Sequence, residues 1–187
     1  MYKRQINEDA LKIDFEKLNL NSDVIIVGNL PFNISTQLLF KWLEVCNWPP
    51  FYKRMVLMFQ KEVADRILSP NSNKNYGRIS VAAQARCKIR KVLSAPSHMF
   101  RPVPKVDGAI LDFEPHTNYL ELDFTILQKI LKEAFSQRRK KIKKNLSNYI
   151  NLIKDLNIDE NLRAENLSVK DYCNISLALN KRSSLLN

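Results

Sequence analysis

The chain has 187 residues, 45% of them hydrophobic, and a formal net charge of +11 from 30 Lys plus Arg against 19 Asp plus Glu. That length and apolar share suit one packed domain, or one with a small second, and the charge calls for a polyanionic partner, nucleic acid or membrane surface. No apolar run reaches about 18 residues, which excludes a spanning helix, and Cys46, Cys87 and Cys173 are odd in number and lack paired spacing, which argues against a disulfide framework or a cysteine metal site.

The cysteines therefore read as core or free thiols in a reducing compartment, and no metal site is expected. The first 13 residues are mixed polar and carry no signal-type apolar core. Gly28, Gly77 and Gly108 are the only glycines, so the sequence holds no glycine-rich phosphate or nucleotide loop.

In chain order, Asn7-Glu8-Asp9-Ala10 precedes alternating apolar residues. Asp9 can accept a hydrogen bond from an adenine amine or a ribose; an ordinary solvated acidic turn fits the same residues. Val24-Ile25-Ile26-Val27 is a short β-branched run and predicts a buried strand. It breaks at Gly28 into Asn29-Leu30-Pro31-Phe32. Ser35 or Thr36 is expected to cap a helix over residues 36–47, with Leu38, Leu39, Trp42 and Leu43 on its apolar face.

This places a polar amide and an aromatic ring on a turn at the carboxyl end of a strand, where open α/β sheets bind ligands. Asn29 and the carbonyl of Leu30 offer two acceptors to one exocyclic amine. Pro31 fixes the backbone between them, and Phe32 offers a face for stacking on a base. Two acceptors on one amine favour a pyramidal nitrogen whose lone pair can attack a methyl group. A plain strand-to-helix loop accounts for the same four residues.

Further on, Met55-Val56-Leu57-Met58-Phe59 predicts a strand, residues 60–68 a helix, and residues 69–77 a surface loop. A helix is expected over 78–87, a half-exposed strand over 88–93 and a final strand over 108–113. Between those strands, residues 95–107 hold Pro96, Pro102 and Pro104 around Phe100, a stiff exposed loop. After a hinge at 114–120 the pattern turns helical: Leu122, Phe124, Leu127, Ile130, Leu131, Ala134 and Phe135 share a face. Helices are also expected over 148–156, 159–164 and 168–180, the last capped by Ser168. The chain divides near residue 116, into an α/β part (1–116) and a small helical part (117–187).

Charge is concentrated. Residues 77–106 hold seven basic residues (Arg78, Arg86, Lys88, Arg90, Lys91, Arg101, Lys105) and no acid. Residues 135–154 hold seven more (Arg138, Arg139, Lys140, Lys141, Lys143, Lys144, Lys154), again with no acid. Helical rows of Arg and Lys beside an aromatic loop suit a phosphate backbone with a base drawn out of it; a solvated basic face is the plainer reading.

Asp9-Ala10, Asn29-Leu30-Pro31-Phe32, Phe59-Gln60-Lys61-Glu62-Val63, the stretch from Phe100 to Asp107 and Gln137-Arg138-Arg139-Lys140 occur in this order. Together they resemble the ribosomal RNA adenine dimethyltransferase (dimethyladenosine transferase) family, its mitochondrial branch included. The resemblance implies an α/β fold, a partial Rossmann-like methyltransferase sheet followed by a small C-terminal all-helical domain. It implies S-adenosylmethionine-dependent dimethylation of adjacent adenines in a small-subunit rRNA hairpin loop. Asn29 and Leu30 would hold the target amine on the turn that Pro31 fixes, with Phe32 and Phe100 on the two faces of the base. Asp9, Ala10 and Asn29 would line the cofactor pocket. Arg101, Lys105, Arg138, Arg139, Lys140, Lys141, Lys143 and Lys144 would contact rRNA. A monomer in the cytoplasm, or alternatively the mitochondrial matrix, acting on the small ribosomal subunit precursor and not on a membrane, completes the expectation.

The family's glycine-rich cofactor loop should precede Asp9 and is absent from the sequence, so weak or no cofactor binding and an exposed sheet edge are expected. The alternative function is a non-catalytic RNA-binding or ribosome-assembly module. A DNA adenine methyltransferase would use a similar turn, but Leu30 between Asn29 and Pro31, and the basic tail, argue against it.

Overall fold

The computed structural model describes residues 5–18, 23–45, 48–119 and 121–184. Cys46 lies outside them. Four strands form one sheet in the order β1-β2-β4-β3: β1 Val24–Asn29, β2 Tyr52–Gln60, β3 Cys87–Ala95 and β4 Gly108–Pro115. β1 and β2 run parallel and are joined through helix α1 (Ser35–Leu43), whereas β4 is antiparallel to both β2 and β3. Helices α2 (Lys61–Ile67) and α3 (Arg78–Arg86) lie between β2 and β3 in sequence.

The α1 face expected from the sequence is the observed one: Leu38, Leu39, Trp42 and Leu43 are buried. Its start differs. The N-cap is Ile34 with no side-chain cap, and the buried Ser35 hydroxyl instead donates to the Phe32 carbonyl at 3.1 Å. A hydroxyl turned back onto the preceding turn is the local alternative to capping, and here it braces the Asn29–Phe32 corner.

β1 pairs with β2 alone among the described residues, and its side chains alternate strictly: Val24 and Ile26 half-buried, Ile25 and Val27 exposed. Val27 is 76% exposed. Strict alternation is the mark of a strand covered on one face only, so β1 is half-buried and not the buried strand expected.

After the sheet come α4 (Phe124–Ala134), α5 (Ile142–Asn145), α6 (Ile150–Asp155) and α7 (Val169–Ser184). Asp123 caps α4 by accepting from the amides of Thr125 and Ile126. Ser168 caps α7 as expected, its hydroxyl accepting from the Asp171 amide while the Asp171 carboxylate accepts from the Ser168 amide. Leu122, Phe124, Leu127, Ile130, Leu131 and Ala134 are buried, and one core runs from Leu30 to Ile175.

Two helical expectations fail. Residues 159–163 are not helical: Lys141 and Arg163 form an antiparallel bridge, and the Ile142 amide donates to the Leu162 carbonyl at 2.8 Å. Arg138, Arg139 and Lys140 likewise sit in turns, followed by Lys141 in the bridge and Lys143 and Lys144 in the one-turn helix α5, so the basic row is not one helical stripe.

Arg86 leaves the basic surface altogether. It is 3% exposed, its guanidinium lies 4.4 Å from the Trp48 ring centre and 5.3 Å from that of Phe124, and it donates to the Leu122 carbonyl. Burial lowers its pKa. Arg90 is also engaged, paired at 2.7 Å with the buried Asp112, which Arg54 reaches from β2 at 3.2 Å. Cys87 and Cys173 are free and buried, as expected for core thiols.

Candidate active site

Strand register assembles the site. Asn29, the last residue of β1, is level with Met58 on β2, and Gly108, the first of β4, is level with Gln60. The loop between β3 and β4 returns over this end of the sheet. Asn29, Leu30, Pro31 and Phe32 from the first turn, and Phe100, Arg101, Pro102 and Pro104 from the second, line one cavity of about 280 Å³ with Met58, Val106 and Gly108. The two segments lie some 70 residues apart in sequence, and both were singled out from it.

The corner is tightly built. A Cβ on Gly28 would lie 2.7 Å from Cδ2 of Leu30 and 3.3 Å from that of Leu57, so glycine lets Leu30 fold back into the core, where it is 8% exposed. The Ile34 amide donates to the Pro31 carbonyl, and Ser35 to that of Phe32. The Leu30 carbonyl and the Asn29 side-chain amide take part in no hydrogen bond with other described residues, which leaves both open to an incoming group. The exposed Asn29 and half-buried Phe32 border the opening.

The second loop is closed by Asp107. Its carboxylate accepts from the Ser97 amide at 2.9 Å, and its carbonyl accepts from the Lys61 amide, at the start of α2, at 2.8 Å. Lys61 is itself paired with Asp65 at 2.8 Å, a hydrogen bond that raises its pKa.

Asp9 and Ala10 do not line this cavity. Asp9 is exposed, and one of its carboxylate oxygens caps its own turn by accepting from the Leu11 amide. The segment is tied to α1 by Lys41, whose ammonium donates to the carbonyls of Ala10, Leu11 and Ile13 and lies 5.4 Å from the Phe15 ring centre. The α1 helix thus carries the Asn29 turn at its start and the Asp9 segment on its side. Lys41 escaped the sequence reading because three backbone carbonyls leave no pattern in a sequence.

Of the remaining cations, Arg101 lines the cavity and Lys105 a neighbouring one. Arg138 donates to the Lys74 carbonyl at 2.7 Å and reaches Glu165 at 3.4 Å, and Lys143 donates to Asn161, so both hold the fold together. Arg139, Lys140, Lys141 and Lys144 are exposed. Among the described residues no group of His, Cys, Asp or Glu could hold a metal, and no helix is long and apolar enough to cross a membrane.

Met58 and Gly108, and Val106 at the end of the Phe100 loop, complete the lining. Their place comes from cross-strand register, which a local reading of the chain does not supply.

Residues 3–181 match the family model described as ribosomal RNA adenine dimethylase. The chain is 39% identical over 176 residues to the ribosomal RNA small subunit methyltransferase A of Rhizobium johnstonii, covering 93% of this chain and 64% of that protein. It is 40% identical over 189 residues to the protein of the same name from Blochmanniella floridana, covering 96% and 68%. A crystal structure of a dimethyladenosine transferase from Plasmodium falciparum superposes with a TM-score of 0.78 at 26% identity, over 95% of this chain and 72% of that one. The 23S rRNA methyltransferase ErmE, at 18% identity and a TM-score of 0.60, shares the fold. With a four-stranded mixed sheet, the Asn29–Phe32 turn at its end and a family match over nearly its whole length, this chain belongs to the ribosomal RNA adenine dimethylase family.

Proposed function

We propose that this chain acts in the S-adenosylmethionine-dependent dimethylation of adjacent adenines in a small-subunit rRNA hairpin loop, as a cytoplasmic monomer. The observation that carries this reading is the shared cavity of the Asn29–Phe32 turn and Phe100, with two free acceptors at its rim.

Each residue has a role set by its chemistry. The Asn29 side-chain oxygen and the Leu30 carbonyl accept from the adenine amine and turn its lone pair outward. Pro31 keeps the two acceptors in register. Phe32 and Phe100 stack on the base, and a loop adenine costs little to unstack. No strong base is needed, because a methylated aminium gives its proton to water. Positioning and exclusion of water supply the rate.

S-adenosylmethionine supplies an electrophilic methyl on a sulfonium. The donor set present fits one side of it: Asp9 keeps a carboxylate oxygen free for its adenine, Ala10 lies beside it in the chain, and Asn29 lines the target cavity. The 187 residues contain no glycine-rich loop, so we expect them to bind the cofactor weakly by themselves. The exposed Arg139, Lys140, Lys141 and Lys144 also suit a second reading, a non-catalytic RNA-binding or ribosome-assembly module. In either case residues 117–187 serve as a helical RNA-binding unit with Arg139, Lys140, Lys141 and Lys144 exposed.

Calorimetry with S-adenosylmethionine, followed by transfer of a labelled methyl to an rRNA hairpin, tests this. Stoichiometric binding and methylated adenine support the enzyme. Tight hairpin binding without either supports the module.

A further inference from the structure

The cavity at the Asn29 turn is the first of three that adjoin. Val106 lines both it and a second cavity of about 490 Å³, bounded by Lys61, Asp65, Lys105 and Asp107. Glu62 and Asn75 in turn line both the second and a third of about 380 Å³, bounded by Arg66, Lys74, Arg78 and Arg138. Helix α2 floors the run: Lys61, Glu62 and Asp65 face the second cavity, and Arg66, one turn beyond Glu62, faces the third.

Charge changes along this run. The second cavity has three carboxylates (Glu62, Asp65, Asp107) against two lysines, so it repels a phosphate. The third has four cations against Glu62 alone. Arg66, Lys74 and Arg78 are exposed and have no acidic partner among the described residues, and Arg138 is shared with the Lys74 carbonyl and Glu165. Three exposed cations without an acidic partner around one cavity set up a positive potential that draws an anion.

We propose that the RNA strand carrying the target adenine leaves the Asn29 cavity past Val106 along α2, and that one backbone phosphate beside the target sits in the third cavity, held by Arg66, Lys74 and Arg78. The inference rests on the target-strand reading above. It assigns to Arg66 and Arg78 the task of fixing how far along the strand the target lies. Phosphate contacts carry no sequence information but set register.

The test is fluorescence anisotropy with the 187-residue chain and a set of small-subunit rRNA hairpins. Each hairpin carries one neutral methylphosphonate at a different loop linkage, with a 2′-deoxy phosphodiester control at the same place. One linkage near the target should cost the wild type about fivefold in affinity. In R66A/R78A the same linkage should cost nothing further, and the salt slope should fall by about 2. R66K/R78K should recover the slope, which separates charge from folding. An R66A/R78A chain with unchanged affinity and slope, beside an R139A/K140A chain that loses both, would overturn the phosphate seat and leave RNA binding intact. A wild-type chain that binds no hairpin would overturn the target-strand reading itself.

Discussion

The backbone amide of Ser97 donates to the Asp107 carboxylate at 2.9 Å across ten residues, and this one bond closes the loop that presents Phe100. The Asp107 carbonyl meanwhile accepts from Lys61, so the loop is anchored to α2 as well. Asp107→Ala keeps the second tie and removes the first. We expect the Ser97 amide to lose its protection in hydrogen exchange and global stability to fall by about 1–2 kcal/mol. Unchanged protection would show that the loop is held without the Ser97–Asp107 bond.

Lys41 tests the link between the target turn and the cofactor side. Lys41→Met keeps the aliphatic packing and removes three carbonyl contacts. Proteolysis near residue 12 should speed up and S-adenosylmethionine affinity should fall, while hairpin affinity stays. Equal cleavage rates in both proteins would mean that the segment is held by Phe15 packing instead.

Arg86 joins the sheet to the helices by lying on Trp48 and Phe124 and donating to Leu122. Its loss leaves a gap and an unpaired carbonyl, so Arg86→Ala should cost roughly 2–4 kcal/mol in urea unfolding. Arg86→Lys should not restore it, because an ammonium lacks the flat face that stacks. Hairpin salt dependence should not change, since the guanidinium is buried.

The buried thiols predict an alkaline limit. Burial pushes the Cys173 thiol up to about 12, and raises that of Cys87. A raised folded pKa means that the native state keeps a proton the unfolded chain gives up. The contribution is complete below the ordinary thiol pKa near 9 and is lost as pH rises from there toward about 12. Stability should therefore decline over that window, and less steeply in Cys173→Ala. Both thiols should resist alkylation at neutral pH until the chain unfolds.

How much of this was legible depends on the range of the interaction. β1, the apolar face of α1 and the Ser168 cap are local patterns, and all three stand in the structure. The Asn29 and Phe100 segments were legible as unusual turns, but not as neighbours, because β1-β2-β4 register joins them. Ser35 braces the turn instead of capping α1, because a hydroxyl before an apolar run suits both roles equally. The 159–164 helix failed because the Lys141–Arg163 bridge takes those backbone groups. Charge counting does not separate free cations from engaged ones: Arg86 is buried, and Arg90 and Arg138 are held by other groups.

In the proposed reaction Asn29 and Leu30 grip the amine of the target adenine. The most direct measurement is NMR of an rRNA hairpin whose target adenine carries a ¹⁵N label on its exocyclic amine. On adding the wild-type chain, the amine proton resonances should move downfield as both acceptors engage. With Asn29→Ala the shift should shrink while affinity, followed on the hairpin imino protons, stays the same. Identical amine shifts in the two proteins at equal saturation would contradict the claim.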